Sequence, residues 1–234
     1  MKINIKTFLA VGLIGLTSAC SDLDVDVNSY YTSYPSSDIA IAAKMADIYH
    51  SFAGPLNRRY DEARSLSSDE YVGLSFSGNY IDAHTYSNMS LHLFSPDDAS
   101  TGYYEELASG ISKANQIIVD LGGDDAKPNV IAPARAMRAF FHFILMDSYG
   151  DIPVLDHLAE DNEVIARQPR ADVAKFIEKE LLAIIPYLPS DNTQITYGKP
   201  TKWMAEALLV KLYINWPVYT ATSVDKYDAI SYNN

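Results

Sequence analysis

The chain has a single cysteine, Cys20, in 234 residues. No intramolecular disulfide can form, and a cysteine-based zinc site is excluded. Positive charge is also scarce: 18 Lys and Arg stand against 30 Asp and Glu, a formal charge of −12. A surface this acidic repels phosphate backbones, which argues against nucleic acid as a partner. The longest apolar run, Phe8 to Leu16, falls far short of the ~20 residues that span a bilayer.

The parts of an enzyme are missing as well. His50, His84, His92, His142 and His157 show no His-Glu-x-x-His spacing. Gly73-Leu74-Ser75-Phe76-Ser77-Gly78 is not a nucleophile elbow, because its fifth residue is Ser77. Asp97-Asp98 and Asp124-Asp125 are neighbours in turns, whereas a glycosidase pair must flank a bond at ~5–10 Å. They suit helix caps or solvent. There is no phosphate loop and no dinucleotide fingerprint. These absences read as a non-enzyme with no cofactor and no metal site.

What is present starts with a leader. Lys2 and Lys6 precede the apolar Phe8 to Leu16, and Thr17-Ser18-Ala19-Cys20 follows. A charged region, a short apolar region and a small-residue cleavage site make a signal peptide over 1–19. Small residues ending at a cysteine resemble a bacterial lipobox, with Cys20 as the lipidated residue. It departs from the usual pattern in having Thr17, not an aliphatic residue, three places before the cysteine. Losing the leader's two lysines takes the charge to −14. Residues 20–36 then read as a lipidated cysteine and an acidic tether built on Asp22, Asp24 and Asp26. An EF-hand loop is rejected, since Val27 and Ser33 stand where it needs glycine and glutamate.

From residue 37 to 234 the pattern is helical, and no run alternates well enough for a sheet. Ser37 or Asp38 caps a helix with an apolar face of Ile39, Ala42, Ala43, Met45, Ala46, Tyr49 and Phe52, stopped by Gly54-Pro55. Residues 65–102 have no clean period and read as an irregular, exposed excursion. Leu107, Ile111, Ala114, Ile117, Ile118 and Leu121 fall in step over 103–121, which ends at Gly122-Gly123. A helix apolar nearly all round follows over 130–149, with Pro133 in its first turn, and sits between neighbours. Arg135 and Arg138 on it pair with acids from neighbouring helices, and His142 is a satisfied core histidine. Further helices run over 170–188 and 200–219, with Trp203 read as core and Trp216 as core or surface. Another begins at Tyr227. Ala139-Phe140-Phe141 and Ile144-Leu145-Met146 echo Ala207-Leu208-Leu209 and Leu212-Tyr213-Ile214 at an offset of 68, twice the tetratricopeptide period. The fold class is therefore all-α, with stacked helical hairpins.

Several segments carry a family resemblance. Ala134-Arg135-Ala136-Met137-Arg138-Ala139-Phe140-Phe141-His142-Phe143, running into Tyr149-Gly150-Asp151-Ile152-Pro153, resembles the most recognisable stretch of the SusD/RagB family. Arg170, Phe176-Ile177, Glu180-Leu181 and Leu188-Pro189 follow in that family's order. Tyr197-Gly198-Lys199-Pro200-Thr201-Lys202 and Lys211-Leu212-Tyr213 come next, then Val218-Tyr219-Thr220 before Asp225-Lys226-Tyr227. The resemblance implies a SusD-like α-α superhelix of tetratricopeptide-like hairpins with irregular ligand-binding loops. It also implies a lipid-anchored outer-membrane protein, facing the extracellular side. Such a protein captures oligosaccharides for a SusC-like TonB-dependent transporter; RagB-like members are associated with peptides. Family members are about twice this length, so the expectation is an N-terminal portion with the C-terminal half of the fold missing. The alternative function is a helical-repeat scaffold or peptide-binding lipoprotein.

Sugar capture needs aromatic faces for pyranose rings and amides or carboxylates for hydroxyls. Seventeen tyrosines supply the first, although most of them also suit packing. Within the excursion, Tyr71, Phe76, Asn79, Tyr80 and Tyr86 are the candidate ligand-binding residues. The resemblance places the family's aromatic and amide contacts near Phe76 and Asn79, shortly after Ser68-Asp69-Glu70. Phe76→Ala combined with Tyr80→Ala should weaken glycan binding without unfolding the protein. Unchanged affinity on isothermal titration removes this loop from the account.

Overall fold

The computed structural model describes residues 37–72, 85–93, 95, 102–223 and 226, all within the compact unit Pro35–Asn234. Helix α1 (Asp38–Gly54) starts where its cap predicts: Ser37 is extended, and its hydroxyl accepts from the Ala40 N–H at 3.3 Å. The buried stripe, however, is Met45 and Ile48, with Ile41, Tyr49 and Phe52 half-buried beside it. Ile39 is 83% exposed, and Ala42, Ala43 and Ala46 also face out. Ala42, Ala43 and Ala46 carry little apolar area, so the larger side chains decide which face turns inward.

Gly54-Pro55 does not stop the rod. Pro55–Arg59 forms one π-helical turn, closed by the Tyr60 N–H on the Pro55 carbonyl, and α2 (Tyr60–Ser67) continues. Widening the helix gives room for a ring that would clash with the carbonyl one turn back. Within the 65–102 segment, the described residues include helix where the composition predicts an irregular excursion. The segment opens inside α2, and it contains a short helix α3 (Thr85–Ser90) whose Met89 is 1% exposed.

The next two helices follow their periodicity. In α4 (Tyr104–Asp120), Leu107, Ile111, Ala114 and Ile117 are buried. Gly122 ends the segment at φ +114°, a conformation that favours glycine. Helix α5 (Pro128–Tyr149) begins two residues before its predicted start. Pro128 takes the first-turn position, and Pro133 lies inside the helix. Buried residues occur on all sides of its centre, from Ala132 to Met146, because α4 packs on one flank and α6 on the other. Strands β1 (Ile152–Pro153) and β2 (Arg167–Gln168) pair antiparallel and close the neck of a loop over 154–166. Then come α6 (Arg170–Ile184), a 3₁₀ turn at Ile185–Tyr187, α7 (Lys202–Ile214) and α8 (Trp216–Thr220). Thr201 caps α7, accepting from the Met204 N–H at 3.3 Å.

Consecutive packing of α1 on α4, α4 on α5, α5 on α6 and α6 on α7 and α8 makes the all-α succession that the sequence predicts. The echo at offset 68 holds on one side only. Phe141 and Ile144 are buried, as are Leu209 and Leu212, but Tyr213 and Ile214 are exposed where Leu145 and Met146 are buried. Trp203 is likewise not core. It is 54% exposed, donates its indole N–H to the Ser190 carbonyl at 2.8 Å and lies 4.9 Å under the Lys202 ammonium. Trp216 is half-buried, its ring 6.0 Å from that of Tyr213. No described helix is long and apolar enough to cross a membrane.

Inside this apolar stack lies a polar network. Arg138 of α5 is 6% exposed and donates to Glu180 of α6 at 2.6 Å, to Asn115 of α4 at 2.7 Å and to the Asp156 carbonyl at 2.5 Å. Arg135 adds a two-pronged contact to the same Glu180, at 2.6 and 3.2 Å. Asn115 donates its amide to the carbonyls of Leu155 and His157 at 3.1 and 2.6 Å. His142 accepts the Leu155 N–H on Nε2 at 3.1 Å, which leaves its Nδ1 hydrogen to donate to the Arg138 carbonyl at 2.8 Å. This is the neutral tautomer, and a second ring proton would meet the Leu155 N–H head-on. Burial accordingly lowers the His142 pKa to about 4. At Glu180 burial raises the carboxyl's pKa, but the hydrogen bond from Arg135 and the charge and hydrogen bond of Arg138 outweigh it, and the net direction is down.

Two outcomes follow. Gly110 of α4 is buried, and an added Cβ there would meet the Phe141 ring at 2.6 Å. Alanine gains about 1 kcal/mol of helix propensity over glycine, whereas overpacking costs typically 1–3 kcal/mol. Gly110→Ala should therefore lower the urea midpoint; a raised midpoint means that Phe141 moves aside freely. Below pH 6.5 the unfolded chain protonates a histidine that the native state keeps neutral down to about 4. Stability is then fully present above pH 6.5 and falls by roughly 3 kcal/mol as pH approaches 4. Glu180 adds to the loss in the acid range. His142→Gln should flatten the slope between pH 6.5 and 4 in denaturant titrations.

Candidate functional site

Three helix ends meet beside the 65–102 segment. On α2, Tyr60 and Arg64 stand one turn apart on a single face. Tyr103 and Tyr104 open α4, and Asp147, Ser148 and Tyr149 form the last turn of α5. They wall a cleft of about 830 Å³, which Ser67, Ser95, Gly102 and Glu105 also line. A volume of this size lies in the range of small-ligand sites, about 300–1,000 Å³.

Hydrogen bonds hold the floor of the cleft. The Asp147 carboxylate accepts the Tyr60 hydroxyl at 2.8 Å and the Tyr219 hydroxyl at 2.7 Å. Arg64 donates to the Tyr60 oxygen at 3.1 Å, and its guanidinium lies 4.9 Å from the centre of the Tyr60 ring. Its Nε is 4.0 Å from Asp147, so charge and ring share the cation. Tyr103 donates to Ser148 at 2.8 Å, and Ser148 passes its own hydrogen to the Ile144 carbonyl. The rings pack edge to face or tilted: Tyr60 on Tyr103 at 6.3 Å, Tyr103 on Tyr149 at 5.7 Å and Tyr104 on Tyr149 at 5.3 Å.

Burial raises the pKa of the Tyr60 and Tyr219 phenols, and the nearby Asp147 charge raises it further. Burial raises Tyr103, Tyr104 and Tyr149 too. All five stay neutral across ordinary pH and serve as hydrogen-bond partners and ring faces. Arg64, with 54% of its side chain exposed, brings spare N–H donors to the opening. Among the described residues no group of His, Cys, Asp or Glu is placed to hold a metal ion.

The residues singled out by sequence fare unevenly. Tyr71 is 64% exposed just beyond α2 and lies outside the walls of the cleft. Phe76, Asn79, Tyr80, His84 and Cys20 lie outside the described residues, as do the Tyr86 side chain and the helix expected from Tyr227. His92 is engaged at 2.7 Å with the Ser67 carbonyl. Arg135, Arg138 and His142 take the structural places read for them. The sequence reading missed Tyr60, Arg64, Tyr104 and Asp147. The available signal was positional: Tyr60, Tyr103-Tyr104 and Tyr149 all stand at helix ends.

A family profile described as starch-binding, associating with outer membrane, matches residues 23–214. A SusD-like protein of Bacteroides ovatus is 27% identical over 212 residues, covering 85% of this chain and 37% of its own. A SusD-like protein of Formosa agariphila is 30% identical over 121 residues, 49% of this chain and 24% of its own. Among solved structures, a laminarin-binding SusD-like protein superposes with a TM-score of 0.65 at 19% identity, covering 77% of this chain and 41% of that one. A SusD-like protein of Bacteroides fragilis reaches 0.62 at 18% identity, covering 81% and 38%. The chain thus spans well under half the length of these relatives.

Proposed function

The chain belongs to the SusD-like family of starch-binding, outer-membrane-associated proteins, and from that premise we propose that it captures oligosaccharides at the tyrosine-walled cleft. The observation that carries the reading is the cleft's chemistry. Tyr104 and Tyr149 offer ring faces, while Arg64 and Glu105 offer hydrogen bonds, all on helix ends that the buried core holds still. Pyranose rings present both kinds of surface, an apolar face of C–H groups and a rim of hydroxyls. Nothing in this arrangement activates a nucleophile, so the role is binding without turnover.

The loop residues Phe76, Asn79, Tyr80 and Tyr86 complete the site in this reading, with Tyr71 exposed just outside its walls, since Ser67 before the loop and Gly102 after it both line the cleft. Cys20 anchors the protein in the outer membrane through lipid, and the acidic residues after it form the tether. A SusC-like TonB-dependent transporter receives the ligand on the far side. Starch and laminarin head the substrates to screen. The first is named in the family's description, the second in the name of a fold relative.

Arg64→Ala and Tyr104→Ala should each weaken oligosaccharide binding about tenfold, ~1.4 kcal/mol, with little change in melting temperature. Affinity gels containing starch, laminarin and other polysaccharides check this. A cooperatively melting protein that no gel retards would sink the glycan reading and favour the peptide-binding or scaffold alternative.

A further inference from the structure

Beside the cleft at the helix ends, two further depressions among the described residues border the N-terminal half of α4. A second, of about 450 Å³, runs between α4 and the end of α1, along His50, Ser51, Gly54, Glu106 and Lys113. A third, of about 340 Å³, runs between α4 and the 154–166 loop, along Ala108, Ile111, Ser112, Leu155 and Ile165. Both volumes lie within the range of small-ligand sites. The three share their partitions. Glu105 borders the first and second, Ser109 the second and third, and Tyr104 the first and third.

Two of the three partitions, Glu105 and Ser109, are exposed side chains, and the third, Tyr104, is half-buried against Tyr149. Neither Ser109 nor Glu105 makes a side-chain hydrogen bond or ion pair among the described residues. Glu105 and Ser109 are one turn apart, about 6 Å along the axis, on the scale of a single sugar ring. The walls keep the mixed character of the first cleft. The second is bordered by polar and charged residues, with the Lys113 ammonium 3.0 Å from the Asp47 carboxylate and 3.2 Å from the Ser51 hydroxyl. The third has an aliphatic floor with Ser112 and Glu163 at its edge. His157 holds Glu163 there at 2.9 Å, on a loop whose base is gripped by Asn115 and Arg138.

We propose that α4 carries a multi-unit track, on which an oligosaccharide seated in the tyrosine cleft continues across Tyr104 and Glu105 into the depressions beside α1 and the 154–166 loop. This rests on the glycan-binding reading. It assigns Tyr104, Glu105 and Ser109 as the residues that divide one long site into subsites, and it makes chain length a determinant of affinity. A mono- or disaccharide fills only part of the site and gains correspondingly little contact.

The test is isothermal titration of the full chain with maltose-series and laminaribiose-series oligosaccharides, from the disaccharide to the octasaccharide. Affinity should keep rising beyond the trisaccharide. Ser109→Trp, an exposed substitution that fills the second partition, should weaken the longest members at least tenfold and leave the shortest unchanged. Val119→Trp, on the same helix but away from all three depressions, should change neither. A plateau at two or three units overturns the track and leaves the single cleft standing. So does a Ser109→Trp protein whose affinities are all unchanged, or all reduced alike. Failure of every oligosaccharide to bind removes the glycan reading and the track together.

Discussion

The arrangement depends on one buried ion pair. Arg138 and Glu180 are each 6% exposed in the middle of an otherwise apolar stack of helices. Taking both charges out of water is costly, and only full hydrogen bonding offsets it. Arg135 and Asn115 complete most of that bonding, though the Arg138 Nε stays without a partner. Removing one member of such a pair typically costs 3–5 kcal/mol, because the other is left charged and buried. An aliphatic core would hold three helices together in many nearby registers. This network accepts only the register in which Asn115, Arg138 and Glu180 coincide, and it extends that demand to the 154–166 loop through three backbone carbonyls.

The cleft inherits its rigidity from that register. Helix α5 runs from the network at Arg135–His142 straight to Asp147, Ser148 and Tyr149. Once Arg138 fixes the rotation of α5, the position of the Asp147 carboxylate follows two and a half turns later. Tyr60 of α2 and Tyr219 of α8 converge on it from either side. Binding groups on helix ends are held more closely than the same groups on a long loop, and less ordering entropy is lost when a ligand arrives.

How much of this could be read from residues alone differs by element. Helices α4, α5 and α6 were legible because large aliphatic side chains recur at helical spacing over four or more turns. The face of α1 was not, since its run of alanines gives every face a similar weight. The burial of α7 was misjudged for a related reason. Trp203, Val210 and Ile214 make it apolar on a side that no described element covers, and periodicity does not distinguish a covered apolar stripe from an open one. The polar network was half legible. Two arginines on an apolar helix require an acid, but nothing in the spacing names Glu180. The cleft was least legible. Its walls come from positions 60–64, 103–105 and 147–149, which only the packing of three helices brings together. The tyrosine count hinted at sugar chemistry without showing which tyrosines meet.

The π-helical turn at Pro55–Arg59 has a consequence for how the N-terminal rod is phased. Each residue advances a helix by about 100°, so one residue absorbed into a wider turn resets the angular origin of everything after it. Upstream, the rod's phase is set by Met45 and Ile48, which must face the stack. Downstream, it is set by Tyr60 and Arg64, which must face Asp147. A uniform helix would satisfy one requirement and point the other pair roughly a quarter-turn astray. The extra residue works like a slipped tooth between two gears, letting one continuous rod mesh with the core at one end and with the binding face at the other.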